Sequence, residues 1–414
     1  MEKIFEREAA TQITDMVGYS LLTATMSPSD IRDFIIKYHR KLKALICNLE
    51  SDVEFTPMAG DSSVSIYPLD ENNPESITRP LHAAIRVAEA SEAGELLPTR
   101  LGIYSGSILK AEFDEHTLSF GNTFAAAARL EQLCNYFRTQ LLIDRKISES
   151  DPALTKYMVS VGKITPKNFI HPIHVYTVYK PGLHGCPNDI SEDHLMEFIS
   201  IKNQAMDYFS GHGLKGIECD FFQARNLLLK ANNLYRKLTG LDDLPTKRIL
   251  DYIDQFPSPD DDFHKCGMHI TAASFSNSGI AGHSLPEKLL KAIGYDVYKY
   301  LHDDDEWKDL FQLEWRKPGE KIIEAGEEPD SIFYIESGSV MVKDENNEVI
   351  GNLGKGEVFG EMTFFSNSIK RNAHVIALTD LVVRKISGDN FRKYPELQRV
   401  FSDLTERRIR PPME

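Results

Sequence analysis

Two aspartates stand out for what they would hold if the fold brings them together. Asp15 closes an apolar strand-like run and is followed by Met16-Val17-Gly18-Tyr19, while Asp61 sits at the tip of a hairpin-like stretch, in Ala59-Gly60-Asp61-Ser62. If the two strands are neighbours, the carboxylates converge. Two carboxylates and a backbone carbonyl make a hard oxygen site that suits Mg²⁺ or Mn²⁺ bound together with nucleotide phosphates. Taken alone, the same pair also reads as turn or capping residues. A second group lies near the other end of the chain: Phe359-Gly360-Glu361, with Arg371-Asn372-Ala373 starting ten residues after the glutamate.

The elements that must position these groups follow from hydrophobic periodicity. From Ala10 to about Tyr179, β-rich runs alternate with amphipathic helical stretches, an α/β pattern. The spacing predicts strand over 11–17, helix over 31–49, a hairpin over 53–67, helix over 81–93, strand over 100–108 and helix over 125–135. Between about 182 and 301 the β signals fade. There Phe221, Ala224, Leu228, Ala231, Tyr235 and Leu238 recur at three- and four-residue steps, which marks one buried helical stripe. Beyond Leu310 short strands alternate with glycine turns at Gly319, Gly326, Gly338 and Gly356, the pattern of a small β-roll, and a final helix is expected over 389–407.

Composition sets limits on all of this. A chain of 414 residues exceeds one ordinary core, and 42% hydrophobic with 26% charged residues is a globular balance. The net charge of −15 argues against broad nucleic-acid contact, so a polyanionic ligand must be held locally. No apolar run approaches the roughly 20 residues that span a bilayer, so no membrane anchor is expected. Five cysteines without a CxxC pair suit free thiols in a reducing cytoplasm.

The words around the aspartates point further. Ile13-Thr14-Asp15-Met16-Val17-Gly18-Tyr19-Ser20, Ala59-Gly60-Asp61, Arg100-Leu101-Gly102-Ile103-Tyr104-Ser105-Gly106 and Ala126-Ala127-Ala128-Arg129-Leu130-Glu131 occur in the order and spacing of class III adenylate and guanylate cyclases. The resemblance implies a ferredoxin-like catalytic domain that works as a head-to-tail homodimer on a nucleoside triphosphate. It implies that Asp15 and Asp61, helped by the Met16 carbonyl, hold two Mg²⁺ or Mn²⁺ ions. It also implies that Arg129 of the partner steadies charge on the α-phosphate and that Lys167 meets the terminal phosphates. Three positions depart from the family. Ala125 stands where an asparagine bonds the ribose, Pro57 where a lysine reads adenine, and Asn122 where an aspartate or threonine joins base recognition. Asn carries both a donor and an acceptor, so the base is left open and ATP is the substrate by family frequency.

The stretch from Glu320 to Ile386, with Phe333-Tyr334-Ile335-Glu336-Ser337-Gly338 and the Gly360 to Asn372 segment, resembles the cyclic-nucleotide-binding domain of kinase regulatory subunits, gated channels and bacterial cAMP receptors. That resemblance implies a cyclic phosphate against Gly360 and Arg371 and a ribose 2′-hydroxyl on Glu361; Asn372, at a position where relatives often carry a small residue, leaves the base preference of this cyclic-nucleotide site open. The expected architecture is thus α+β and multidomain: a ferredoxin-like cyclase domain over 1–181, a helical connector over 182–301 and a β-roll over 302–414. The expected function is a cyclase regulated by a cyclic nucleotide. The alternative is a catalytically silent cyclase-like dimer that only senses one.

Overall fold

The structure is a computed structural model that describes residues 4–24, 26–48, 52–113, 116–165, 169–270, 310–365, 370–395 and 397–402. It falls into two compact units. The first combines the beginning of the chain, His39–Glu89 and the stretch from Thr99 into the helical region. The second combines Met16–Tyr38 and Ala90–Pro98 with the C-terminal β region.

The N-terminal sheet is built from β1 (Ile4–Met16), β2 (Glu54–Pro57), β3 (Ser63–Pro68), β4 (Thr99–Phe113), β5 (His116–Phe120), β6 (Leu141–Asp144), β7 (Met158–Ile164) and β8 (Ile173–Val178). Its order is β2-β3-β1-β4-β6-β8-β7, with β5 paired to β4. Between these strands run α1 (Tyr19–Thr23), α2 (Pro28–Cys47), α3 (Pro74–Glu92) and α4 (Asn122–Phe137). The first four strands with α2 and α3 make a βαββαβ unit of order β4-β1-β3-β2, which is the ferredoxin-like topology. Local chemistry starts these elements. Ser27 accepts from the Asp30 N–H and donates to the Asp30 carboxylate at 2.9 Å, a reciprocal cap just before Pro28 opens α2. The middle of β1, Ala9 to Gln12, is buried throughout, as a central strand must be.

One close approach fixes α4 on the sheet. Gly102 of β4 faces Ala127 and Glu131 so closely that a Cβ there would overlap the Ala127 carbonyl oxygen and the Glu131 nitrogen. The helix therefore lies flat against the strand.

The helical region contains α7 (Glu192–Ser210), α8 (Phe221–Thr239), α9 (Leu244–Gln255) and α10 (Asp261–Cys266); two short helices, α5 (Arg145–Ser148) and α6 (Pro152–Thr155), precede it. The expected stripe is the buried face of α8, with Leu238 partly buried at its end. Phe209, Phe221, Leu228, Ile249 and Phe263 share one core with Leu130, Phe137, Val161 and Val175 of the sheet and α4. A buried ionic knot adds direction to this packing. Tyr179 donates to Asp243 at 2.6 Å, and the Lys202 ammonium reaches both groups, all three side chains being fully buried. Lys202 holds the Asp243 carboxyl far below the usual range despite its burial. A knot of this kind ties β8, α7 and the start of α9 to one arrangement.

The C-terminal region has two four-stranded antiparallel sheets. One orders β10 (Lys321–Ile323), β15 (His374–Ala377), β12 (Val340–Lys343) and β13 (Val349–Leu353); the other orders β14 (Val358–Phe359), β11 (Ser331–Ser337), β16 (Leu381–Ser387) and β9 (Gln312–Arg316). They enclose a core of Phe333, Ile335, Val340, Phe359, Val375 and Val383. The four glycines expected at turns all take positive φ. Two short helices follow the strands, α11 (Met362–Phe365) and α12 (Gly388–Lys393). The single helix expected over 389–407 is corrected here. It breaks at Tyr394, because Pro395 disfavours helical backbone at the residue before it, and helix resumes at Pro395 and over 397–402; residues 396 and 403–407 lie outside the described residues.

Gly102→Ala is expected to destabilise the N-terminal unit by about 1–3 kcal/mol or more, because α4 must lift off β4. Chemical denaturation followed in parallel with wild type checks this, and an unchanged midpoint would contradict the packing.

Candidate functional site

The hairpin and the first strand do bring the aspartates together. β1 pairs antiparallel with β3, Thr14 opposite Ser63, and β3 pairs with β2, so Asp15 lies beside the Gly60-Asp61-Ser62 turn. Ser62 donates to Asp15 Oδ1 at 2.9 Å, His39 donates to the Gly60 carbonyl at 3.0 Å, and Thr14 and Ser63 share a buried hydrogen bond of 2.6 Å below them. Asp61 and Met16 are both buried.

Two further charged residues complete the cluster. Arg100, at the start of β4, donates to Asp15 Oδ2 at 2.7 Å and pairs with Glu131 of α4 at 3.1 Å. Neither Arg100 nor Glu131 carries a role in the sequence reading, although both sit inside its cyclase-like words. A charged residue in an otherwise apolar word was the available signal. Burial pushes the Glu131 carboxyl up to about 7; Arg100 opposes that shift, and the nearby Asp15 and Asp61 add to it. Two carboxylates thus pair with one guanidinium, and a third, Asp61, acts on Glu131 from nearby. This surplus of oxygen-borne negative charge fits a divalent cation. Among the described residues no three His, Cys, Asp or Glu side chains form a ready metal cage.

Helix α4 serves two directions at once. Glu131 points into the cluster, whereas Asn122, Ala125 and Arg129, spaced by three and four residues, line its other face. Asn122 and Ala125 are exposed. Arg129 is half-buried and donates to the Ile270 carbonyl at 3.1 Å. Burial lowers its affinity for its proton. Pro57 ends β2 in an exposed position. Lys167 lies outside the described residues.

The C-terminal candidates do converge. A cavity of about 430 Å³ between the two sheets is lined by Gly360, Glu361, Arg371, Asn372, Val375 and Leu353, among others. That volume is in the range of small-ligand sites. Arg371 is 4% exposed and Glu361 1% exposed. The Arg371 guanidinium donates to the Gly360 carbonyl at 2.7 Å and to the Ser331 carbonyl at 2.6 Å, with Asp330 at 3.5 Å. Gly360 has φ of +82°, and a Cβ there would meet Arg371 Nη1 at 3.0 Å and the Ser331 carbonyl at 3.2 Å. Only glycine fits both its backbone and the approach of the arginine.

A family profile described as the cyclic nucleotide-binding domain matches residues 313–396. This segment is a cyclic nucleotide-binding domain. A cAMP-dependent protein kinase regulatory subunit from Debaryomyces hansenii is 33% identical over 85 residues, 20% of this chain and 19% of that protein. A voltage-gated delayed rectifier potassium channel from Homo sapiens is 35% identical over 100 residues, 24% of this chain and 10% of the channel. The chain therefore spans a fifth or less of these relatives. Across the N-terminal region the structural neighbours are cyclase catalytic domains. A bacterial light-regulated adenylyl cyclase has TM-score 0.37 and 17% identity, covering 42% of this chain and 53% of that one. The guanylate cyclase domain from Catenaria anguillulae has TM-score 0.36 and 18% identity, covering 43% and 100%. Among the described residues no helix is long and apolar enough to cross a membrane.

Two outcomes follow from these environments. Because the folded Glu131 pKa lies above its ordinary value of 4.5, its proton stabilises the fold below about pH 4.5, and that stability is lost as pH rises through about 7. Glu131→Gln should remove this loss, about 3 kcal/mol at most, in denaturation of metal-free protein across that range; an unaltered pH slope would contradict it. Arg371→Ala should weaken binding of a cyclic nucleotide to the C-terminal domain by about 1.5–3 kcal/mol in calorimetry, and unchanged affinity would remove Arg371 from the site.

Proposed function

We propose that this chain is a metal-dependent nucleotidyl cyclase. It works as a homodimer, converts a nucleoside triphosphate into a 3′,5′-cyclic nucleotide and pyrophosphate, and is regulated by cyclic nucleotide held in the C-terminal domain. The observation that supports this reading is the placement of Asp15 beside the Asp61 turn, with Arg100 bridging Asp15 and Glu131. Asp15, Asp61 and the Met16 carbonyl would hold two Mg²⁺ or Mn²⁺ ions, which would acidify the ribose 3′-hydroxyl and neutralise the triphosphate.

The chain's own side chains supply the rest. In the reaction the 3′-oxygen bonds to the α-phosphorus as the bridge to the β-phosphate breaks, the hydroxyl proton passes to water, and pyrophosphate leaves. Arg129 of the partner subunit lies along the cyclising phosphate and meets its developing charge. Lys167 would supply a cation to the terminal phosphates. Asn122, on the same face of α4 as Arg129, reads the base edge; ATP is the proposed substrate, and the Asn amide also admits GTP. In the C-terminal domain Arg371 pairs with the cyclic phosphate and Glu361 accepts from the ribose 2′-hydroxyl.

The rival reading, a silent dimer that only senses, draws on two observations. Arg100 occupies one oxygen of Asp15, and Ala125 offers no polar group on the exposed face of α4. Complementation separates the two. Asp15→Ala and Arg129→Ala should each abolish turnover, and mixing and reassembling the two variants should restore about a quarter of wild-type activity, because half the dimers then carry one intact site. Full activity in either single variant, or no recovery in the mixture, would overturn the dimeric cyclase mechanism.

A further inference from the structure

The second compact unit joins the cyclic nucleotide-binding domain to two segments of the N-terminal region, and the contacts between them are specific in kind. On one side, Leu313 and Trp315 of β9 meet Gly18 and Phe34. A Cβ on Gly18 would stand 3.0 Å from Leu313 Cδ1, and the Trp315 and Phe34 rings pack edge to face at 5.8 Å. Charges cross in reciprocal fashion: Lys37 of α2 pairs with Asp380 at 3.0 Å, and Lys317 pairs with Asp30 of α2 at 2.7 Å.

On the other side the last turn of α3 and the start of the loop after it receive three donors. Ser337 Oγ and the Gly338 N–H both donate to the Gly94 carbonyl, at 2.9 and 3.0 Å, and the Lys355 ammonium donates to the Ser91 carbonyl. A Cβ on Gly94 would lie 2.7 Å from Lys355 Cβ, so no larger side chain fits without displacement.

The placement of these donors is what makes the contact informative. Strands β11 and β14 pair with each other, Phe333 opposite Phe359. At one end they carry the nucleotide-holding groups: Ser331, whose carbonyl takes one Arg371 bond, and Gly360, whose carbonyl takes the other. At the opposite end they run into Ser337 and Lys355, which rest on the 91–94 loop. That loop continues to Pro98, whose carbonyl accepts from the Val17 N–H at 2.8 Å, and then directly into Thr99 and Arg100. Arg100 is the residue that grips Asp15.

We propose that this contact, Ser337 and Lys355 on the 91–94 loop and β9 with Asp380 on α1 and α2, is the surface through which cyclic nucleotide at Arg371 regulates the Asp15 site. The proposal rests on the reading of the N-terminal region as a cyclase. A cyclic phosphate competes for the Arg371 N–H groups now given to Gly360 and Ser331. It therefore binds the free and loop-engaged forms of the β11–β14 pair differently, and such a difference is what couples two sites. By reciprocity, breaking the contact must also change affinity for the cyclic nucleotide.

The test uses the full chain with cAMP and, separately, cGMP at saturation. Amide exchange within 91–98 and 26–38 should change when the cyclic nucleotide protects the C-terminal domain, and exchange in those segments that stays constant overturns the proposal. Lys37→Glu with Lys317→Glu places like charges opposite Asp380 and Asp30; it should abolish a nucleotide-dependent change in turnover of roughly 5- to 150-fold while leaving basal turnover intact. Adding Asp380→Lys should restore part of the response. A full response in the double variant overturns the proposal. If wild type makes no cyclic product, the cyclase reading falls, and the exchange result alone decides whether the surface transmits binding. If neither nucleotide protects the C-terminal domain, the proposal is overturned while the cyclase assay stands.

Discussion

Arg100 is shared. Its guanidinium spans the carboxylate of Asp15, at the end of β1, and that of Glu131, on the inner face of α4, with Asp61 close enough to raise the Glu131 proton affinity. Three buried or half-buried carboxylates cannot all be ionised beside one cation without strain, and the cluster relieves that by holding a proton on Glu131 near neutral pH or by accepting a cation. The β1–β3 register sets the aspartates side by side, and the bare Gly102 lets α4 lie low enough for Glu131 to arrive. Shifting β1 by one residue would turn Asp15 to the other face of the sheet and remove the cluster altogether.

The C-terminal domain solves a similar problem with different means. Arg371 is buried and held chiefly by two main-chain carbonyls, with the exposed Asp330 carboxylate pairing at 3.5 Å. Carbonyls orient a guanidinium without neutralising it, so its charge remains available to an incoming phosphate. Arg100 pairs with two carboxylates, Asp15 and Glu131, whereas Arg371 is gripped mainly by carbonyls with one carboxylate at the edge. The chemistry expected at each end, cation binding at one and anion binding at the other, follows from that contrast.

Much of this was legible in the sequence, and the exceptions have physical causes. Alternation and glycine placement located β1, β4 and the β-roll, because those signals are local and periodic. The aspartate pair was legible because both residues sit at strand ends whose pairing the hairpin dictates. Arg100 and Glu131 were not assigned, since their meeting depends on how closely α4 approaches β4, a tertiary distance that no spacing encodes. Ser91, Gly94 and Lys37 carried no chemical signature at all: they are common residue types whose partners lie more than 240 positions away along the chain. The break at Tyr394 was overlooked because the amphipathic pattern continues through Pro395, and the proline outweighs it.

The central question for this protein is whether the carboxylate cluster performs phosphoryl chemistry. The most direct measurement is incubation of the purified chain with each ribonucleoside triphosphate and Mn²⁺, quantifying cyclic nucleotide and pyrophosphate together. The account predicts equal amounts of both from at least one purine triphosphate, and none when the metal is chelated. Absence of cyclic product from all four, with the protein folded and dimeric, would contradict it.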